Sequence, residues 1–193
     1  LSNGNYTLTG ASGSVTINPL PVMLTGTQVY NGLTAVTATL SASNLIGGDT
    51  LTISGTPTGT LASANAGAQA MSSLAGLSLS NSNYTLTGGT GTVTVTPLVV
   101  TLTGSRSYNG STSIAAGILS ASNVIGADNI GLTGTGSVAS ANASGTPQTL
   151  NLAGLSLSNG NYTLTGASGS VTINPLPVML TGTQVYNGST AVT

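Results

Sequence analysis

The chain has no lysine, glutamate, histidine, cysteine, tryptophan or phenylalanine. Arg106 is its one basic side chain, and Asp49 and Asp128 are its two acids, among 193 residues. Each absence excludes a class of chemistry. Without His, Cys or Glu there is no ordinary zinc, haem or iron–sulfur ligand set. Without Cys there is neither a disulfide nor a thiol nucleophile, and cysteine usage says nothing of the redox compartment. Without Lys there is no Schiff base. One Arg cannot neutralise a run of phosphates, which argues against nucleic acid as a partner. A net charge of −1 steers the chain toward nothing. No general base, nucleophile pair or metal cluster remains for an enzyme, so neither catalysis nor a cofactor is expected. No apolar run approaches the roughly 20 residues of a membrane-spanning helix, so no membrane span is expected either.

Hydroxyl side chains take the place of charge. Thr and Ser number 33 and 26, nearly a third of the chain, and Gly adds 28. Leu, Ile and Val together number 46. That is enough, with so little net charge, to place the chain among folding sequences rather than disordered ones.

Internal repetition is the strongest signal. Residues 1–32, LSNGNYTLTGASGSVTINPLPVMLTGTQVYNG, recur letter for letter at 157–188, an offset of 156. Half of that offset also works. Tyr6, Tyr84 and Tyr162 are 78 apart, as are Tyr30, Tyr108 and Tyr186. Between them LSASNLIGGD (40–49) matches LSASNVIGAD (119–128), and LASANAG (61–67) matches VASANAS (138–144). The chain is therefore a tandem array of units of about 78 residues in two alternating versions, a length suited to a small autonomous β domain.

Alternation of apolar and hydroxyl residues marks strands. In 91–96 (GTVTVT), Val93 and Val95 face one way and the threonines the other. Leu77 and Leu79 alternate with serines, and Tyr84 shares a face with Leu86. The segment SNGN (158–161) reads as a hairpin loop, with Asn-Gly supplying left-handed backbone. A second tight turn is expected at Tyr30-Asn31-Gly32, Tyr108-Asn109-Gly110 and Tyr186-Asn187-Gly188. The apolar phase slips by one residue at Pro19, Pro97 and Pro175: Val93 and Val95 give way to Leu98, Val100 and Leu102. A slip of one moves every side chain to the other face, so the prolines mark unit boundaries. This divides the chain into 1–19, the last strands of a preceding repeat; 20–97 and 98–175, two complete units; and 176–193, the first strand of the next. A strand running through and pairing in both neighbours is the alternative. The expected fold class is all-β, with tandem sandwich units forming a stiff rod or fibre.

Each polar motif has a structural reading. Tyr30, Tyr108 and Tyr186 before Asn-Gly, and Tyr6, Tyr84 and Tyr162 at the start of a late strand, are all expected to be core or edge anchors whose hydroxyls reach nearby backbone, in the manner of a tyrosine corner, with glycan stacking as the rival role. Asp49 and Asp128 occur once per unit, too few for paired-carboxylate catalysis, and read as turn residues bonding their own backbone. Arg106 is replaced by Gln28 and Gln184 in the other copies, so no repeated function rests on it. Thr7/Thr9, Thr25/Thr27, Thr92/Thr94/Thr96 and Thr101/Thr103 fit solvated strand faces. Ice binding would need such ladders stacked in register, which a 78-residue period does not supply. Asn5, Asn83, Asn109, Asn142, Asn161 and Asn187 lie in glycosylation sequons, a pattern expected by chance in a chain so rich in Asn, Ser and Thr.

Taken in order, L-x-V-x-L-T-G-T-x-V-Y-N-G, LSASN-x-IG-x-D, LASANAG, LAGLSLSN-x-NYTL and G-x-V-T-I-x-P resemble the YDG-type repeats of large bacterial surface and secreted proteins, haemagglutinin-like adhesins exported by two-partner secretion. The family's Tyr-Asp-Gly stands here as Tyr-Asn-Gly at 30–32, 108–110 and 186–188. Its late Asn-Tyr-Thr-Leu stands at 5–8, 83–86 and 161–164. The resemblance covers essentially the whole chain, and the near loss of charge is the departure from it. It implies Ig-like units in an extracellular, cell-surface stalk or fibre, with no known catalytic or ligand site. Near-zero charge favours association, so other copies of the chain are the expected partner, with surface glycans or ice as the alternative.

Overall fold

In the computed structural model, which describes residues 1–188 and 190–191, the chain is all-β and divides into two compact units, Leu1–Thr96 and Pro97–Thr193. The first contains β1 (Leu20–Val29), β2 (Ser41–Ala42), β3 (Ile53–Gly55), β4 (Gly67–Ala70), β5 (Leu77–Leu79) and β6 (Tyr84–Thr96). The second contains β7 (Leu98–Ser107), β8 (Ser113–Ala115), a 3-10 turn (Ala116–Ile118), β9 (Leu119–Ala121), β10 (Leu132–Ser137), β11 (Gln148–Thr149), β12 (Leu155–Leu157) and β13 (Tyr162–Asn174).

Both units are built around a parallel pair made by their first and last strands. In the first, β1 and β6 are central in a four-stranded sheet of order β2-β1-β6-β4. In the second, β7 and β13 are central in the order β11-β13-β7-β9. The strands run the same way, from Leu20 opposite Tyr84 to Val29 opposite Thr96, and from Leu98 opposite Tyr162 to Ser107 opposite Asn174. Alternation then sorts the side chains. Val22, Leu24, Val93 and Val95 turn inward and are buried, and so do Val100, Leu102, Val171 and Ile173. Each such side chain stabilises its unit by about 1.5–3 kcal/mol relative to exposure.

A second, smaller sheet supplies the other side of each core: β3-β5 in the first unit and β12-β10-β8 in the second. Ile53, Leu77 and Leu79 pack against Val22, Leu24, Leu74 and Tyr84. The two small-sheet strands approach too closely for side chains at Gly55 and Gly134. A Cβ there would run into the carbonyl oxygen of Gly76 or Gly154, and both glycines hold left-handed φ, 90° and 91°.

The SNGN hairpin is not formed. β12 pairs with β10 rather than with β13, and β5 pairs with β3 rather than with β6. Gly160 does not take left-handed backbone. The Asn159 side chain closes the turn instead, accepting from the Asn161 N–H at 3.0 Å, as Asn81 does from the Asn83 N–H. Serine at position 82 shows that this site accepts an ordinary residue. The 3-10 turn at Ala116–Ile118 has no counterpart in the strand reading.

The two ends, read as pieces of neighbouring repeats, carry no strand among the described residues: 1–19 and 176–188 are exposed. The physical reason is the parallel pair. A last strand needs a first strand beside it, and neither end has that partner among the described residues. Ser189, Val192 and Thr193 of the expected next repeat lie outside the described residues.

Candidate functional site

The most regular polar construction is a clamp between the late tyrosine and the acid of each unit. The Tyr84 hydroxyl donates to Asp49 Oδ2 at 2.8 Å and accepts from the Ile46 N–H at 2.8 Å. The Tyr162 hydroxyl donates to Asp128 Oδ2 at 2.9 Å and accepts from the Ile125 N–H at 2.9 Å. Both rings are buried. The carboxylates reach this position through tight turns: the Asp49 N–H donates to the Ile46 carbonyl and the Asp128 N–H to the Ile125 carbonyl, each at 3.1 Å. Gly47 and Gly126 provide the left-handed residue that each turn needs. The tyrosine hydroxyl thus finds backbone 38 and 37 residues upstream rather than locally, and the acids expected to bond their own backbone are held by the tyrosines.

The electrostatics follow. The Ile46 amide pulls the Tyr84 phenol down, but burial and the Asp49 carboxylate outweigh it and the phenol ionises above its ordinary range. Burial is the leading cause at Tyr162, opposed by the Ile125 amide and reinforced by the Asp128 carboxylate, and again the phenol is raised. The clamp closes the structure and offers a ligand nothing to stack on.

A second construction extends the antiparallel ladder along the free side of the first strand. In the parallel pair the last strand advances from Thr85 to Thr90 between Pro21 and Met23, and from Thr163 to Ser168 between Val99 and Thr101. On the other side of β1 the Ser43 N–H donates to the Met23 carbonyl, and Asn44 continues from it: its Oδ1 accepts from the Met23 N–H at 2.8 Å and its Nδ2 donates to the Pro21 carbonyl at 2.9 Å. Asn123 does the same at the Thr101 N–H (3.0 Å) and the Val99 carbonyl (2.7 Å). The role of these asparagines is not read from the sequence; the signal was their recurrence, 79 apart, within LSASN.

The Tyr-Asn-Gly turn terminates the first strand. The Tyr30 N–H donates to the Thr96 carbonyl and the Tyr108 N–H to the Asn174 carbonyl, both at 2.8 Å. Asn31 Oδ1 accepts from the Leu33 N–H and Asn109 Oδ1 from the Ser111 N–H, while Gly32 and Gly110 sit at φ 74°. The two tyrosines differ: Tyr30 is 7% exposed and Tyr108 41%. In the third copy Tyr186 is exposed, Gly188 has φ 76°, and Asn187 Oδ1 accepts from Gln184. Tyr6 is exposed, and so are Pro19, Pro97 and Pro175.

What faces solvent is neutral. On the outer side of the first unit's large sheet, Ser41, Thr25, Thr92 and Ala70 form one row across four strands, and Thr27, Thr94 and Ala68 another. The second unit repeats this with Ser120, Thr103, Ser170 and Thr149. Hydroxyls also pair across the small sheets, Ser54 with Ser78 at 2.8 Å and Thr133 with Ser156 at 2.9 Å. An open depression lined by Thr103, Gly104, Ser105, Ile118 and Ser120 has no ionisable side chain. Among the described residues no three His, Cys, Asp or Glu side chains gather, and no helix is long and apolar enough to cross a membrane.

The family described as the YDG domain matches the chain twice, over residues 15–94 and 91–173. No curated protein and no solved structure matches it.

Proposed function

Because the chain belongs to the YDG domain family, in two tandem copies, we propose that it is a structural repeat segment of a secreted bacterial filament or adhesin stalk. On this reading each unit is a small Ig-like β-sandwich without catalytic activity, and the chain associates with copies of itself in an extracellular fibre or biofilm matrix at the cell surface. The observation that carries this reading is the parallel pairing of first and last strands. A chain that enters a sheet on one strand and leaves on a parallel neighbour exits at the opposite end of the unit. Leu20 and Thr96 are therefore separated by the length of β1, about 33 Å for ten residues at roughly 3.3 Å each. Units joined in this manner string end to end and favour a rod.

Neutrality supports the self-association. Each unit's single acid is engaged by a tyrosine, and the outer sheet faces carry hydroxyl and apolar residues, Met23, Val29 and Val99 among them, instead of charge. Surfaces without net charge associate more readily than charged ones. The buried Tyr30, Tyr84 and Tyr162 rings count against a glycan-stacking role at those positions, because a sugar cannot reach them, and leave Tyr108 as the exposed ring within 20–97 and 98–175. Negative-stain microscopy of the purified chain at neutral pH tests the reading. Filaments with an axial repeat of about 30–40 Å are expected. A field of dispersed monomeric particles at all concentrations would overturn it.

A further inference from the structure

The chain continues on both sides of each parallel pair: residues 1–19 lead into β1, Pro97 joins β6 to β7, and Pro175 follows β13. Tension passed along the chain therefore enters the first unit at Leu20, the start of β1, and leaves it at Thr96, the end of β6. In a parallel pair these points lie at opposite ends of two neighbouring strands, so the load slides one strand past the other along their length. The hydrogen bonds of the pair run between the strands, across that direction and evenly spaced, and they share the load. Antiparallel first and last strands would put entry and exit at the same end, where tension opens the bonds one after another.

We propose that each unit has a mechanical function of its own: the pair β1–β6, and β7–β13 in the second unit, is a clamp that bears tension along the chain in shear. The load-bearing role rests on the stalk reading above, while the clamp itself does not need copies of the chain to associate. Three features fit the pair to this task. The longest unbroken register runs to the end where the last strand leaves, Met23–Val29 beside Thr90–Thr96 and Thr101–Ser107 beside Ser168–Asn174. Backbone bonds close both ends of the pair. The Leu20 N–H donates to the Asn83 carbonyl where the load enters and the Tyr30 N–H to the Thr96 carbonyl where it leaves, each at 2.8 Å. Leu98 with Asn161 and Tyr108 with Asn174 repeat both bonds at the same distance. Finally, the pair is central in its sheet, flanked by β2 and β4 or by β9 and β11. Its inward residues Val22, Leu24, Val93 and Val95 are at most 2% exposed, so water does not reach the strained bonds from that side to replace them. Before the register fails, a strand must slide by a good part of the roughly 3.3 Å residue spacing with every bond of the run loaded at once.

The absence of cysteine lets pulling handles be placed at chosen points. Asn18→Cys with Pro177→Cys loads both units in series along the shear direction. Asn18→Cys with Ser82→Cys pulls on one end of the first unit, where Asn18, Pro19, Ser82 and Asn83 line one small cleft and Leu20 lies opposite Tyr84. Along this second axis β1 is peeled from β6 bond by bond. All three positions are exposed, and equal melting temperatures of the two double variants establish that both axes load the same fold. Single chains are then stretched at one loading rate, where the unfolding barrier along the pulled axis sets the force. The clamp predicts two steps along 18–177, each releasing roughly 230 Å of chain, at several times the force that opens the first unit along 18–82. Equal forces along the two axes, or a weaker 18–177 axis, overturn the proposal. A strong 18–177 axis in chains that form no filaments retains the clamp and removes self-association; filaments built from chains with equal forces retain self-association and remove the clamp.

Discussion

Gln28 and Arg106 occupy the same place in the first strands of the two units, and the chain around them is built differently. Gln28 offers an acceptor, and the Thr37 and Ala38 amides close onto it. The segment beside it then keeps only a one-residue bridge, Ala35 with Thr60. Arg106 offers donors alone. Its guanidinium turns to Asn109 Oδ1 and the Ser111 carbonyl, and its Nε is buried without a partner. The equivalent segment, Ser113–Ala115, pairs instead with β10 as β8 and continues into the 3-10 turn. Around this variable position the tyrosine–aspartate clamp and the asparagine beside the first strand are the same in both units to within 0.2 Å. The difference separates what the fold requires from what the array can vary: the parallel pair and its two polar supports are fixed, and the polar closure at the strand end is not.

Substitutions can break that division. The largest expected effect is at Gly55 and Gly134, where alanine meets both left-handed backbone and the facing carbonyl. Gly55→Ala and Gly134→Ala should each cost roughly 2–5 kcal/mol in denaturant unfolding, and by similar amounts, since the small-sheet approach belongs to both units. A harmless alanine at either site would contradict the shared framework.

Next come the clamps. Tyr84→Phe and Tyr162→Phe keep the ring and remove the hydroxyl that serves an amide and a carboxylate, so each should lower Tm by about 5–10 °C. The same groups set the pH response. Their phenols are raised in the folded state, so this contribution is whole below the unfolded value of about 10 and is lost as pH rises through the folded value. Melting scans should show Tm falling above about pH 10, with the fall reduced in the double Phe variant. A wild-type Tm that holds steady to pH 12 would remove the clamp from the account.

The smallest effect sharpens the comparison most. Gln28→Ala strands two amides and should cost about 1–3 kcal/mol. Arg106→Ala should fall within about 0.5 kcal/mol of wild type, because the units differ in what depends on this side chain. Equal losses at the two positions would mean that the arginine supports its unit as the glutamine does.

Strands were legible because hydroxyl and apolar residues alternate so regularly around Val93 and Val95 in the large sheet and around Leu77 and Leu79 in the small one. The partner of each strand was not, since alternation assigns a face and says nothing of a neighbour; β1 beside β6 joins residues more than 60 positions apart. The hairpin assigned to 158–161 failed because Asn-Gly can close a turn through the asparagine side chain without left-handed glycine. Tyr84 with Asp49 and Tyr162 with Asp128 lie about 35 residues apart with no periodic signature. Their legible trace was arithmetic: the only two acids recur once per unit, as the late tyrosines do. Asn44 and Asn123 were hidden because the backbone they bond, 21–24 residues upstream, cannot be assigned to them until the neighbour of the first strand is known.

The proposed self-association joins copies of the chain through neutral faces. Sedimentation velocity of the purified chain over a wide concentration range, at salt from about 0.01 to 1 M, tests it directly, because the screening length falls from roughly 30 to 3 Å across that span. The account predicts association that grows with concentration and is unmoved by salt. A chain that stays monomeric throughout, or assemblies that dissolve as salt rises, would contradict it.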